Sequence, residues 1–165
     1  VFSDDIETVE VFFPNNQILF RSEHISFYTR LLEGNYPDTD RLIPTEFNTE
    51  ATFNVANLRF AMERARLLSN ATQNGTVKLE FKNGVVSSHV HSPEVGRVNE
   101  EIDTSSVSGE DLSISFNPTY LIEALKAIDS EQVVIRFISS VRPFTLVPEG
   151  NEQGFIQLIT PVRTN

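Results

Sequence analysis

Leu112-Ser113-Ile114-Ser115-Phe116-Asn117-Pro118-Thr119-Tyr120-Leu121 passes from a strand pattern to a helix pattern within a few residues. Residues 112–116 read as a strand. Asn117 with Pro118 at the first turn opens a helix over 119–128. The same order stands upstream, with a strand over 50–53, Asn54 as cap and a helix over 55–68. Three strands follow each helix, at 76–81, 85–91 and 98–104 in the first case and at 132–137, 143–147 and 155–160 in the second. Element order therefore predicts an internal structural repeat of roughly 55 residues per unit, without sequence identity between the units. Antiparallel strands with two helices on one side give an α+β domain.

Ahead of this domain, residues 7–31 alternate as three strands, separated by turn signals at Pro14-Asn15-Asn16 and Ser22-Glu23-His24. They predict an antiparallel meander with one buried face. Three strands alone rarely bury enough to be stable, so this piece reads as the end of a domain whose start is missing. The polar, proline-bounded stretch from Asn35 to Pro44 reads as an interdomain connection. The expected division is 1–44 and 45–165.

The 165 residues include no Cys, which excludes disulfide frameworks, thiolate metal sites and cysteine nucleophiles. A hydrophobic share of 39% with 13 Phe is enough for a real core. No export pattern opens the chain, and no apolar run approaches the ~20 residues that span a bilayer. A cytoplasmic setting is expected.

At about 100° per residue, Val55, Leu58, Ala61, Met62, Ala65 and Leu68 share one stripe of the first helix, its core face. Leu67, with Phe60 beside it, lies on the outer face and points to a subunit or domain contact. Arg59 and Arg66 flank the core stripe and Arg64 lies on the other side, where solvated faces or a salt bridge with Glu63 are the plainer reading. His89 and His91 share a strand face but lack a third ligand. Glu100-Glu101 with Asp103, and Glu110-Asp111, are the pairs expected by chance among 23 acidic residues. No nucleophile elbow, zinc-binding helix or phosphate loop is present. No catalytic residue, metal site or cofactor is expected.

The chain closes on Phe155-Ile156-Gln157-Leu158-Ile159-Thr160-Pro161-Val162-Arg163-Thr164-Asn165, an apolar strand that runs directly into a Pro-Val-Arg tail. A tail tied down in this way presents an apolar surface with one fixed cation, which suits gripping another chain. Together with Glu33-Gly34-Asn35-Tyr36-Pro37-Asp38, Arg64-Ala65-Arg66-Leu67-Leu68-Ser69, Phe116-Asn117-Pro118-Thr119-Tyr120-Leu121 and Arg142-Pro143-Phe144, it resembles the bacterial DNA polymerase sliding clamp family, the β subunit of polymerase III, in its Gram-positive version.

The resemblance implies a C-terminal fragment of a subunit built from three similar domains, two subunits closing head to tail into a ring around duplex DNA. It implies a non-enzymatic processivity factor in the cytoplasm, opened by an ATP-using clamp loader, which tethers the replicative polymerase and other replication and repair proteins. Their Gln/Leu/Phe-rich peptides would dock between the second and third domains. By the resemblance, Pro37, Arg41, Leu42, Pro143, Leu158, Thr160, Pro161, Val162 and Arg163 form that pocket. Many relatives carry methionine where this chain has Thr160 and Val162. Phe60, Leu67, Leu68, Glu100 and Glu101 stand at the subunit interface, and Arg59, Arg66 and Lys126 face DNA. The net charge of −10 fits a ring that surrounds DNA through a modest inner basic surface, since sliding needs no tight grip. Two alternatives are a peptide-binding adaptor of similar fold and a hydrolase using the acids near Glu100 and Glu110.

Overall fold

The computed structural model describes residues 8–35, 38–69, 75–92, 96–151 and 154–163. The chain divides into two compact units, 1–38 and 39–165. In the first, β1 (Glu10–Phe12), β2 (Gln17–Arg21) and β3 (Ser26–Arg30) form the expected antiparallel meander. Leu19 is buried, but Phe13 is 73% and Leu32 94% exposed. Alternation decides which side chains share a face; burying that face takes a second layer, which this unit does not supply among its described residues.

The second unit opens on a 3-10 turn at Thr39–Arg41 and continues as β4 (Thr49–Asn54), α1 (Val55–Ser69), β5 (Val77–Lys82), β6 (Val85–Ser92) and β7 (Gly96–Ile102). It goes on through β8 (Ser106–Gly109), β9 (Leu112–Phe116), α2 (Pro118–Lys126), β10 (Gln132–Phe137), β11 (Phe144–Pro148) and β12 (Gln157–Ile159). Both helix caps form as expected. The Asn54 Oδ1 accepts from the Asn57 N–H at 3.0 Å, and the Asn117 Oδ1 from the Thr119 N–H at 2.9 Å.

The repeat is visible in the pairing. One sheet runs β12-β11-β10-β4-β8 and the other β7-β6-β5-β9. Each half-unit's leading strand therefore joins the other half's three: β4 pairs with β10, and β9 with β5. The halves are interlocked rather than stacked.

The core lies between the sheets and the helices. Leu58, Ala61, Met62 and Ala65 of α1 are buried, as the stripe predicts, and Leu121, Ile122, Ala124 and Leu125 serve α2. Phe81 of β5 meets Phe137 of β10 at 4.9 Å, Phe137 meets Phe144 of β11 at 5.1 Å, and Phe144 meets Phe116 of β9 at 5.2 Å between ring centroids. These four rings cross from one sheet to the other and back.

β8 has no counterpart in the sequence reading. Ser106-Val107-Ser108-Gly109 offers one apolar residue, which is too little for a periodic signal. As an edge strand on β4 it needs only Val107 turned inward, and Val107 does pack on the core. Gly109 adopts φ +98°, and a Cβ there would collide with the Asn48 carbonyl. α2 ends at Lys126 rather than at 128, with the Ala127 N–H capping onto the Ala124 carbonyl at 3.1 Å. No helix among the described residues is long and apolar enough to cross a membrane.

Replacing Phe137 with Ala removes the ring that joins both sheets and should cost about 3–5 kcal/mol. The measurement is the urea midpoint by circular dichroism; an unchanged midpoint would show that the ring cluster does not tie the sheets together.

Candidate functional site

The C-terminal segment is held from two directions. β12 lies antiparallel on β11, with Phe144 opposite Ile159 and Thr145 opposite Leu158. Alternation sends Ile159 into the core, 3% exposed, and leaves Leu158 half-buried on the other side. Pro161 lacks an N–H and cannot extend the ladder. One residue on, the Val162 N–H donates to the Ser115 carbonyl of β9 at 2.7 Å. The tail thus leaves one sheet and straps the edge of the other.

Two hollows flank this strap. The first is a groove lined by Tyr120, Glu123 and Ala124 of α2 and by Gln157, Leu158, Ile159 and Thr160. The second is lined by Lys78, Ser113, Ser115, Ser140, Val162 and Arg163, among others. The structure therefore gathers Leu158 and Thr160 into one hollow and Val162 and Arg163 into the other. Arg41, at the end of the 3-10 turn, and the 53% exposed Leu42 line neither. Half-buried Pro143 stands just before β11 and lines neither as well. Pro37 lies outside the described residues.

A separate surface lies along α1 and β7. Phe60 is 48% and Leu67 72% exposed on the outer face of the helix, as the wheel predicts. Leu68 is half-buried and packs on the core. β7 is an outer strand of its sheet, with Val98 exposed. Arg64 reaches from α1 to β7, forming two hydrogen bonds with the Glu100 carboxylate, one of them Nε to Oε2 at 3.3 Å. This contact raises the Arg64 guanidinium above its ordinary range, chiefly through the hydrogen bond to Glu100, against desolvation and with help from the Glu100 charge. Glu100 thus has a partner within its own chain, while Glu101 stands exposed.

The cations on the two packed helices are partly committed. Arg59 Nε lies 3.7 Å from Glu63, one turn on, and Lys126 Nζ bonds Glu123 at 2.9 Å. The Nε atoms of Arg59 and Arg66 are buried with no hydrogen-bond partner among the described residues. On the outer face of β6, His89 is bonded through Nε2 to Ser87 at 2.9 Å and through Nδ1 to Asn99 at 2.8 Å. His91 is exposed. Among the described residues no group of three His, Asp or Glu is placed to hold a metal.

These surfaces belong to a domain whose sequence matches, over residues 40–163, the family described as DNA polymerase III beta subunit, C-terminal domain. The chain belongs to that family. It is 79% identical over its whole length to the beta sliding clamp of Streptococcus pneumoniae and 56% identical to that of Lactococcus lactis. In each case it spans 44% of the relative's own length. The crystal structure of the S. pneumoniae polymerase III beta chain superposes with a TM-score of 0.91 at 79% identity, covering 99% of this chain and 43% of that one. The Bacillus subtilis sliding clamp gives 0.83 at 38% identity, covering 95% and 41%.

As a beta-subunit domain, the chain carries groove residues that the sequence did not mark as a site: Tyr120, Glu123 and Ala124 of α2 beside Gln157 and Ile159. Tyr120 is 60% exposed and stands about 100° around α2 from buried Leu121, on the flank of the core stripe. A large aromatic residue off that stripe is the signal that marks it.

The strap makes a direct prediction. The Val162 amide should exchange with deuterium at least tenfold more slowly than the Thr160 amide, because a bonded amide exchanges only through opening. Comparable rates at the two positions, read by NMR, would show that the tail is not fixed on β9.

Proposed function

We propose that this chain provides the third domain of a ring-shaped sliding clamp, a processivity factor for DNA replication. The observation that carries the reading is the 79% identity along the whole chain to a beta sliding clamp, in a domain of the same fold. Residues 1–44 form the end of the preceding domain with its connection, and 45–165 the third domain. Two three-domain subunits close around duplex DNA and hold it without regard to sequence. The protein is not an enzyme, needs no cofactor and works in the cytoplasm at replication forks. A clamp loader opens the ring, while the replicative polymerase and other replication and repair proteins ride on it.

Each surface has a part in this reading. The groove along Leu158 and Thr160, with Tyr120 at its side, takes the apolar anchors of partner peptides. Pro37, Arg41, Leu42, Pro143, Pro161, Val162 and Arg163 complete the docking region. Proline, leucine and valine make rigid walls for Leu and Phe anchors. Thr160 and Val162 adapt less than methionine would, which narrows the range of accepted peptides. The edge of β7 with Phe60, Leu67, Leu68 and Glu101 meets the neighbouring subunit, and Glu100 braces that edge through Arg64. Arg59, Arg66 and Lys126 on the packed helices supply a modest positive surface for DNA. Weak, screened attraction suits sliding, because persistence comes from topology rather than affinity.

The deciding experiment loads the full-length protein with its clamp loader onto nicked circular DNA and then linearises the circle. Retention on the circle and loss from the free ends is the expected result. Equal retention on both forms would replace encirclement with ordinary DNA affinity. A second test replaces Phe60 and Leu67, both exposed, with Ala. Removing their apolar area should weaken subunit association by about 2 kcal/mol or more, seen as monomer in sedimentation at concentrations where the parent is dimeric. An unchanged dimer would remove this helix face from the interface.

A further inference from the structure

We propose that the second hollow beside the tail is an anion-binding subsite, which receives an acidic side chain of the peptide whose apolar anchors fill the first groove. The inference rests on the docking reading above and adds an electrostatic determinant to it. β5 and β9 are antiparallel neighbours, with Lys78 opposite Ser115 and Glu80 opposite Ser113. Leu79, Phe81, Ile114 and Phe116 on the same strands are buried in the core, so alternation turns Lys78, Ser113 and Ser115 outward. Ser115 is nevertheless only 9% exposed, because the tail crosses it where the Val162 N–H meets its carbonyl. That crossing places Arg163 in the same hollow as Lys78, and the turn before β11 adds Ser140. The hollow therefore presents an ammonium, a guanidinium and the hydroxyls of Ser113 and Ser140, all of them donors suited to carboxylate oxygens.

The competing charge is weak. Lys78 Nζ stands 3.6 Å from Glu80, with both side chains substantially solvated, and such exposed pairs contribute about 0–1 kcal/mol. Glu80 is shared with His89 Nε2, also at 3.6 Å. Lys78 can thus turn to an incoming carboxylate at little cost. In a chain of net charge −10, a donor-rich hollow bearing two cations is complementary to an acidic peptide segment. Its distance from the groove suits one ligand. The groove ends at Thr160 and the hollow begins at Val162. That two-residue step is about 7 Å of extended chain, which two residues of a bound peptide also cover.

The test uses fluorescein-labelled peptides with Gln, Leu and Phe anchors, each flanked on one side or the other by two Asp or two Asn. Binding to the full-length protein is followed by anisotropy at low and high salt. On one flank, Asp should tighten binding about three- to fivefold over Asn at low salt, the scale of a partly exposed ion pair. Lys78→Gln should erase that gain while leaving the Asn peptide unaffected, and Lys78→Glu should turn the gain into a loss. A gain that is absent on both flanks, or that survives in both Lys78 variants, overturns the subsite and leaves the groove standing. If the Asn peptide fails to bind, or binds equally well after Leu158→Ala, the docking reading itself falls and takes the subsite with it.

Discussion

The contact among Phe81, Phe137, Phe144 and Phe116 carries the connection between the two sheets of the larger unit. Two of these rings belong to each sheet, and each successive pair of centroids lies 4.9–5.2 Å apart. Aromatic pairs at such distances contribute about 1 kcal/mol each beyond the area they bury. Strand exchange makes the same connection through the backbone, because β4 and β9 each complete the other half's sheet. Neither half can shed its partner without losing a ladder, so the unit should unfold as one cooperative body. The surfaces at its edges are held by that shared core.

The tail depends directly on this arrangement. Ile159 sits beside Phe144 in the ladder, and the segment then reaches β9 through Val162. A chain end is ordinarily the loosest part of a domain. Here its backbone is bonded to strands of both sheets, and the groove wall it forms with Tyr120 and Ala124 is backed by buried side chains. A peptide meeting this wall would find it already ordered and would bear less of the entropy of ordering it.

Much of this was legible in the sequence, for physical reasons that can be named. Asn54 and Asn117 announce both helices because a capping side chain satisfies a backbone donor that would otherwise be orphaned. Phe60 and Leu67 stand out because a large apolar residue on an outward helix face is unusual. The family resemblance rested on short motifs in order: one at residues 33–38, and the others on α1, the junction of β9 with α2, the entry to β11 and the tail. What escaped the sequence was set by tertiary pairing. Ser106–Gly109 becomes a strand only because β4 offers it a ladder. Ser115 looks like an exposed strand residue until the tail is laid over it. Glu100 gave no sign that its partner is Arg64, because the two are brought together by packing of α1 against β7.

The two sheets have four outer strands among the described residues, and they are not equivalent. β12 is three residues long and soon meets Pro161; β8 is four residues long. β9 has the tail across it. β7 runs seven residues, Gly96–Ile102, and is braced from behind by Arg64. Addition of a strand from another molecule is therefore directed to one side of the domain and discouraged at the others. Within the larger unit, then, one long edge stays open while three are short or covered. That asymmetry, imposed on two halves of the same topology, works against open-ended sheet growth through this unit, to which β-rich domains are otherwise prone.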